Sequence, residues 1–147
     1  MLVFIDTETG GLDPQKNSLL SLGMVAINYS VQVPYYWTFS LDNYNCTQEA
    51  LNINHLDIEE LKRTGKKECQ IAEEFLAAIQ KIELIDGEKI TLAGHNVSFD
   101  INFLKEFLKR NNISFHKHFH YRSVDTASIL RYLYDKGVFP EKFASLE

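Results

Sequence analysis

The chain is poor in cysteine. Cys46 and Cys69 are the two it has, too few for a disulfide framework or a metal-ligand pair, and they read as free thiols, buried or half-exposed. Nothing points to zinc. There is no long apolar run either. The N-terminal Leu2-Val-Phe-Ile5 is far shorter than a membrane span or a signal core and lacks a basic flank, so no membrane association and a cytoplasmic location are the expectations. Positive charge is not in excess: 15 Lys and Arg face 20 Asp and Glu, a net charge of −5, which argues against a protein that grips long duplexes through their phosphates. That objection weakens if bound divalent cations supply the positive charge or if only a few terminal nucleotides are held. No repeat, low-complexity tract or linker interrupts the chain. At 147 residues it suits one domain, 1–147, and its 45% hydrophobic content is that of an ordinary globular protein.

The order of elements is legible from local patterns. Met1 to Asp6 is apolar without alternation and reads as a strand covered on both faces. Thr9 to Pro14 is turn chemistry. Leu19 to Tyr29 is a second strand, and Val31 to Leu41 a third, placed at a sheet edge by Pro34. Short connections make these three an antiparallel meander. A short helix over Asp57–Arg63 has Asp57 as its N-cap. Ile71, Phe75, Ala78, Ile79 and Ile82 recur at helical spacing up to Gly87. Ile90–Ala93 is a short buried strand. Ser98–Arg110 is a helix with Phe99, Phe103 and Phe107 on one stripe, stopped by Asn111-Asn112. Tyr121–Val124 is a weak strand, and Thr126–Tyr134 a helix closed by Gly137 and Pro140. A meander followed by βαβ units gives an α/β fold, a mixed sheet of about five strands with helices on its faces.

Three carboxylates stand out. Asp6 and Glu8, at i and i+2 of the first strand, point to the same face at its C-terminal end. In an open α/β sheet that is the end where ligands bind. Asp100 follows the fourth strand in Gly94-His-Asn-Val-Ser-Phe-Asp100. If the first and fourth strands are parallel neighbours, all three converge. Clustered carboxylates repel one another unless a cation neutralises them, and hard oxygen ligands select Mg2+ or Mn2+. Taken singly each has a plainer explanation: Asp-x-Glu as solvated turn charge, Asp100 as a partner of a helix dipole. Asp13 and Asp42 read as turn residues.

Two segments carry a specific likeness. Val3-Phe-Ile-Asp-Thr-Glu-Thr-Gly-Gly-Leu12 resembles the first motif of the DEDD (DnaQ-like) 3′–5′ exonucleases, and Ala93-Gly-His-Asn-Val-Ser-Phe-Asp-Ile-Asn-Phe-Leu104 resembles their second. Ser123–Leu130 is similar to the segment that follows in proofreading subunits and RNase T-like members of the histidine branch. The resemblance implies a ribonuclease H-like fold and hydrolysis of phosphodiester bonds from 3′ ends, releasing nucleoside monophosphates, with two divalent cations clamping the attacking and leaving oxygens. It implies that Asp6 and Glu8 hold one ion, and Asp6 with Asp100 the second, partly through water. Thr7, Thr9 and Gly11 would line the terminal nucleotide, Leu12 would wedge against the last base, and His95, Asn96 and Phe99 would shape the pocket. His95, beside a turn glycine, is equally a residue that satisfies backbone groups. Phe103 and Phe107 read as core.

The family's third motif, a histidine general base and a fourth aspartate on a C-terminal helix, has no match here. Phe143–Glu147 looks like the approach to that helix, so the expectation is a domain truncated at its C-terminus with that helix missing. Hydrolysis and metal binding would then weaken severely, and uncovered apolar surface would favour dimers or instability. Tyr121-x-x-x-Asp125 fits the family's tyrosine signature, but it follows Asp100 too closely, and Asp125 is better read as a helix start. His116, His118 and His120 alternate along an extended segment and read as a solvated loop. The expected partners are single-stranded DNA or RNA 3′ ends, with room for a polymerase or another protein, and the oligomeric state is left open. The alternative reading is an inactive, exonuclease-like module that holds single-stranded ends or a protein partner. Nothing in the motifs selects DNA over RNA, or proofreading over repair or RNA trimming.

Overall fold

Val3, Ile5, Thr7 and Thr9 are buried on one side of the first strand, β1 (Leu2–Thr9), while Leu2, Phe4 and Glu8 are half-buried and Asp6 is exposed on the other. The computed structural model describes residues 1–27 and 32–138. In it β1 does alternate in burial, against the expectation of a strand covered on both faces. The apolar residues Leu2 and Phe4 hid this: they lie on the side that the described helices leave open, so apolar character and burial part company.

β1 pairs antiparallel with β2 (Leu19–Ile27), which pairs antiparallel with β3 (Gln32–Thr38). On its other side β1 runs parallel to β4 (Ile90–Gly94), and β4 runs parallel to β5 (Phe119–Asp125). The order β3-β2-β1-β4-β5 is the mixed five-stranded sheet that the pattern implied, with Pro34 on an edge strand and the first and fourth strands as parallel neighbours. Residues Asn28, Tyr29, Ser30 and Val31, and Pro140 with Phe143–Glu147, lie outside the described residues.

Helices α3 (Glu68–Asp86) and α4 (Ser98–Arg110) cover the Val3/Ile5 face. Both are where periodicity put them, and Gly87 ends α3 in a left-handed conformation, φ 70°. Their aromatic residues lock the layers together. Phe75 meets Trp37, Phe107 and Phe119 at centroid distances of 5.7, 6.0 and 6.3 Å, and Phe107 meets Phe39 at 5.5 Å. α2 (Ile58–Thr64) starts at Asp57, whose carboxylate accepts from the Glu59 N–H. α6 (Thr126–Asp135) has no buried residue.

Two elements escaped the sequence. α1 (Gln48–Asn54) is a polar heptapeptide with no apolar period; Thr47 caps it by accepting from the Ala50 N–H, and His55 ends it at φ 56°. α5 (Phe115–His118) is a single turn. It overturns the reading of the three histidines as an extended, solvated loop. His116 and His118 lie on this turn, and His118 is buried with Nδ1 3.1 Å from Glu83 Oε1. Phe115 and Phe119 pack on the core and carry His118 inward with them. Cys46 is half-buried and Cys69 exposed, and both are free.

Phe75→Ala removes the ring at the centre of this aromatic cluster. Unfolding in urea should show a loss of about 3–5 kcal/mol; a loss below about 1 kcal/mol would place the cluster outside the stabilising core.

Candidate active site

Asp6 and Glu8 sit opposite Gly23 and Ser21 of β2, on the open face of β1. Between them Thr7 turns to the other side and is buried. There it meets Asp100, in the first turn of α4: the Thr7 backbone N–H and hydroxyl both donate to Asp100 Oδ1, at 2.9 and 2.7 Å. A parallel β1–β4 pair brings the β4–α4 loop to this end of β1, so residues 93 positions apart are joined.

The electrostatics follow from that convergence. Burial holds the Asp100 carboxyl above its usual range; the two Thr7 bonds pull it back, and the nearby Asp6 charge pushes it up again. Glu8 is raised by burial first and then by the charges of Asp6 and Asp100. The three carboxylates therefore lie near enough to influence one another. Among the described residues, no three His, Cys, Asp or Glu side chains are gathered to hold one ion by themselves. The donor chemistry still fits hard divalent cations: carboxylate oxygens under mutual repulsion, which a cation relieves. The pairwise sharing implied by the resemblance does not call for a three-donor group.

A groove of about 560 Å³ opens beside Glu8. Thr7, Thr9, Gly11, Leu12 and Phe99 line it, so five of the seven residues assigned to the nucleotide come together. Leu12 is 85% exposed on one lip, and Ile53 of α1 is 78% exposed on the other. Ile53 and its neighbours Ala50 and Asn54 were missed by sequence reasoning because α1 buries nothing and shows no pattern. The only trace was one isoleucine between two asparagines. α1 is tied to the motif: Asn54 Nδ2 donates to the Thr9 carbonyl at 3.1 Å, and the Thr47 N–H donates to the Gly10 carbonyl at 2.7 Å. Gly10 admits this strap because it has no side chain; a Cβ there would overlap the Asn45 carbonyl and come within 2.7 Å of Cys46 Sγ.

His95 and Asn96 do not line this groove. His95 lines a separate hollow of about 510 Å³ with Asp6, Gly23, Tyr36 and Thr126. Its Nδ1 is 3.3 Å from Oγ1 of Thr126, the first residue of α6, a side-chain contact where the plainer reading named backbone groups. Asn96, at φ 53°, donates its backbone N–H to Asp125 Oδ1 at 3.0 Å. Asp125 also accepts from Ala127 N as the N-cap of α6, which is a structural role. Asp13 accepts from the Gln15 N–H and pairs with Lys16, as a turn residue does.

A family model described as an exonuclease matches residues 3–136. Among curated proteins, the chain is 26% identical over 144 residues to ribonuclease T of Haemophilus ducreyi, covering 92% of this chain and 67% of that protein. It is 28% identical over 137 residues to the PolC-type DNA polymerase III of Mycoplasmopsis pulmonis, covering 90% of this chain and 9% of that one. Among solved structures, product-bound exonuclease I superposes with a TM-score of 0.73 at 20% identity, over 90% of this chain and 31% of that chain. E. coli exonuclease I in complex with a dT13 oligonucleotide gives 0.74 at 18%, over 90% and 29%. The fold is thus the ribonuclease H-like one. The chain spans about two thirds of the ribonucleases T it resembles and under a third of exonuclease I.

Raised carboxyl groups set a pH dependence. An acid whose pKa is higher in the folded than in the unfolded state stabilises the fold below its unfolded pKa, and that contribution is lost as pH rises through the folded one. Metal-free protein should therefore lose stability as pH rises above the ordinary carboxylate range. Asp100→Asn keeps an acceptor for both Thr7 bonds and removes the charge. Its thermal melts in EDTA should match or exceed wild type at neutral pH and lose the stabilisation by Mn2+ that wild type displays; an equal Mn2+ shift in both proteins would remove Asp100 from the site.

Proposed function

The chain belongs to the exonuclease family, and from that membership we propose that it serves in 3′–5′ exonucleolytic hydrolysis of single-stranded DNA or RNA, releasing nucleoside monophosphates. The observation that carries this reading is the meeting of Asp6, Glu8 and Asp100 at one strand end, beside a groove with two apolar lips. The family generally uses divalent metal ions. Two Mg2+ or Mn2+ ions are the proposed cofactors, with Asp6 and Glu8 as the holders of one and Asp6 and Asp100 of the other. When bound, such ions supply countercharge and a lowered pKa for attacking water.

The chain's own residues do the rest. Thr7 spends its N–H and hydroxyl on Asp100 Oδ1 and so fixes that carboxylate in the helix turn. Leu12, Ile53 and Phe99 are the apolar lining that the terminal base would meet. Gripping the last nucleotide from two sides makes the end of a strand, rather than its middle, the segment that fits. The single-stranded oligonucleotides bound to exonuclease I in its solved complexes support this choice of substrate.

Asp6→Ala and Glu8→Ala should each lower mononucleotide release by roughly 100-fold or more, because an ion's share of transition-state stabilisation is several kcal/mol. The assay uses 5′-labelled single strands with Mg2+, read as a ladder shortening from the 3′ end, and EDTA should abolish it. Internal cuts, or variants as active as wild type, would refute the reading. The non-cutting alternative is favoured by one observation, that no three donors gather among the described residues. It expects oligonucleotide binding without product, so metal-dependent mononucleotide release eliminates it.

A further inference from the structure

β5 departs from a regular strand where it borders β4. Ile90 pairs with Phe119 and Leu92 with Ser123, so His120, Tyr121 and Arg122 stand against the single residue Thr91. A bulge of this kind lifts side chains out of the ladder and re-aims them. Here it stacks three consecutive residues that a flat strand would send to alternate faces. The His120 ring lies 4.6 Å from the Tyr121 ring at 29°, and the Arg122 guanidinium sits 5.0 Å from the same ring. The Arg122 N–H donates to His120 Nδ1 at 3.1 Å, which leaves Nε2 as that ring's donor. Tyr121 is nevertheless 71% exposed.

The surroundings are basic in an otherwise acidic chain. Between Glu106 and Asp125 the sequence holds Lys109, Arg110, Lys117 and Arg122 and no carboxylate. Arg110 is committed to Glu68, and Lys109 pairs with Glu106. Lys117 and Arg122 are exposed, and Lys89 reaches α5 by donating to the His116 carbonyl at 2.6 Å. The nearby acids are Glu83, engaged by His118, and the exposed Glu88.

We propose that the His120–Tyr121–Arg122 bulge is a second contact for single-stranded nucleic acid, outside the catalytic groove, where one base stacks on Tyr121 and the adjoining phosphate meets Arg122. Aromatic faces beside cations are what such strands bind without regard to sequence. This inference rests on the nuclease reading for its ligand. Tyr121 is about 13 Å along the strand from Asp125, which holds Asn96 in the loop leading into α4 and Asp100, so the patch takes a part of the strand several nucleotides removed from the reacting end.

The test measures fluorescence anisotropy in EDTA with two probes, an oligonucleotide of about 15 nucleotides and a dinucleotide that fills only the groove, each as DNA and as RNA. The double variant Tyr121→Ala/Arg122→Ala should bind the long probe roughly fivefold or more weakly, flatten its salt dependence and leave the dinucleotide untouched. Tyr121→Phe, which keeps the stacking face, should bind as wild type does. Equal affinity of wild type and double variant for the long probe overturns the inference, and so does a parallel loss for both probes. An acidic peptide that competes as well as the oligonucleotide would also overturn it. If wild type binds the dinucleotide as tightly as the long probe, or binds neither, the patch falls; the nuclease reading stands or falls separately, on Mg2+-dependent mononucleotide release.

Discussion

A carboxylate buried in the first turn of a helix needs donors close at hand, and Thr7 supplies two to Asp100 from the neighbouring strand. Much else depends on this junction. It fixes how far α4 advances toward β1, and it decides that Thr7 faces the interior. Because side chains alternate along a strand, it also decides that Asp6 and Glu8 face outward together. Burial first, and the neighbouring carboxylate charges after it, raise the pKa values of Glu8 and Asp100. Carboxylates set to repel one another are the arrangement that a bound cation would relieve.

The sheet and its two large helices were legible because local signals agreed. Ile71, Phe75, Ile79 and Ile82 repeat at helical spacing, Gly87 stops α3, and Pro34 marks an edge. The candidate carboxylates were legible for a different reason: spacing within one strand puts Asp6 and Glu8 on a common face before any tertiary structure is known. The convergence of Asp100 required one further assumption, parallel pairing of β1 and β4, which local patterns leave open and the sheet supplies.

What stayed hidden was set by tertiary contacts. α1 has no apolar stripe, since it is held by Asn54 and Thr47 to the backbone of Thr9 and Gly10 rather than by burial. Its Ile53, which lines the groove, therefore gave no signal in the sequence. His95 and Asn96 follow the motif in sequence, yet the left-handed turn at Asn96 and the Asp125 cap draw that loop toward α6 and away from the groove. His118 looked solvated because alternation was assumed where the chain makes a helical turn that carries the ring inward to meet Glu83.

The span of 93 residues between Thr7 and Asp100 has a consequence for biosynthesis. β1 is the central strand and the first to leave the ribosome, but its partner β4 and the helix turn behind it come much later. At roughly 5–20 residues per second, about 5 to 20 s separate the two halves of the junction. Throughout that interval the nascent chain displays Asp6 and Glu8 without Asp100, so the first strand must wait for the fourth before the junction can close.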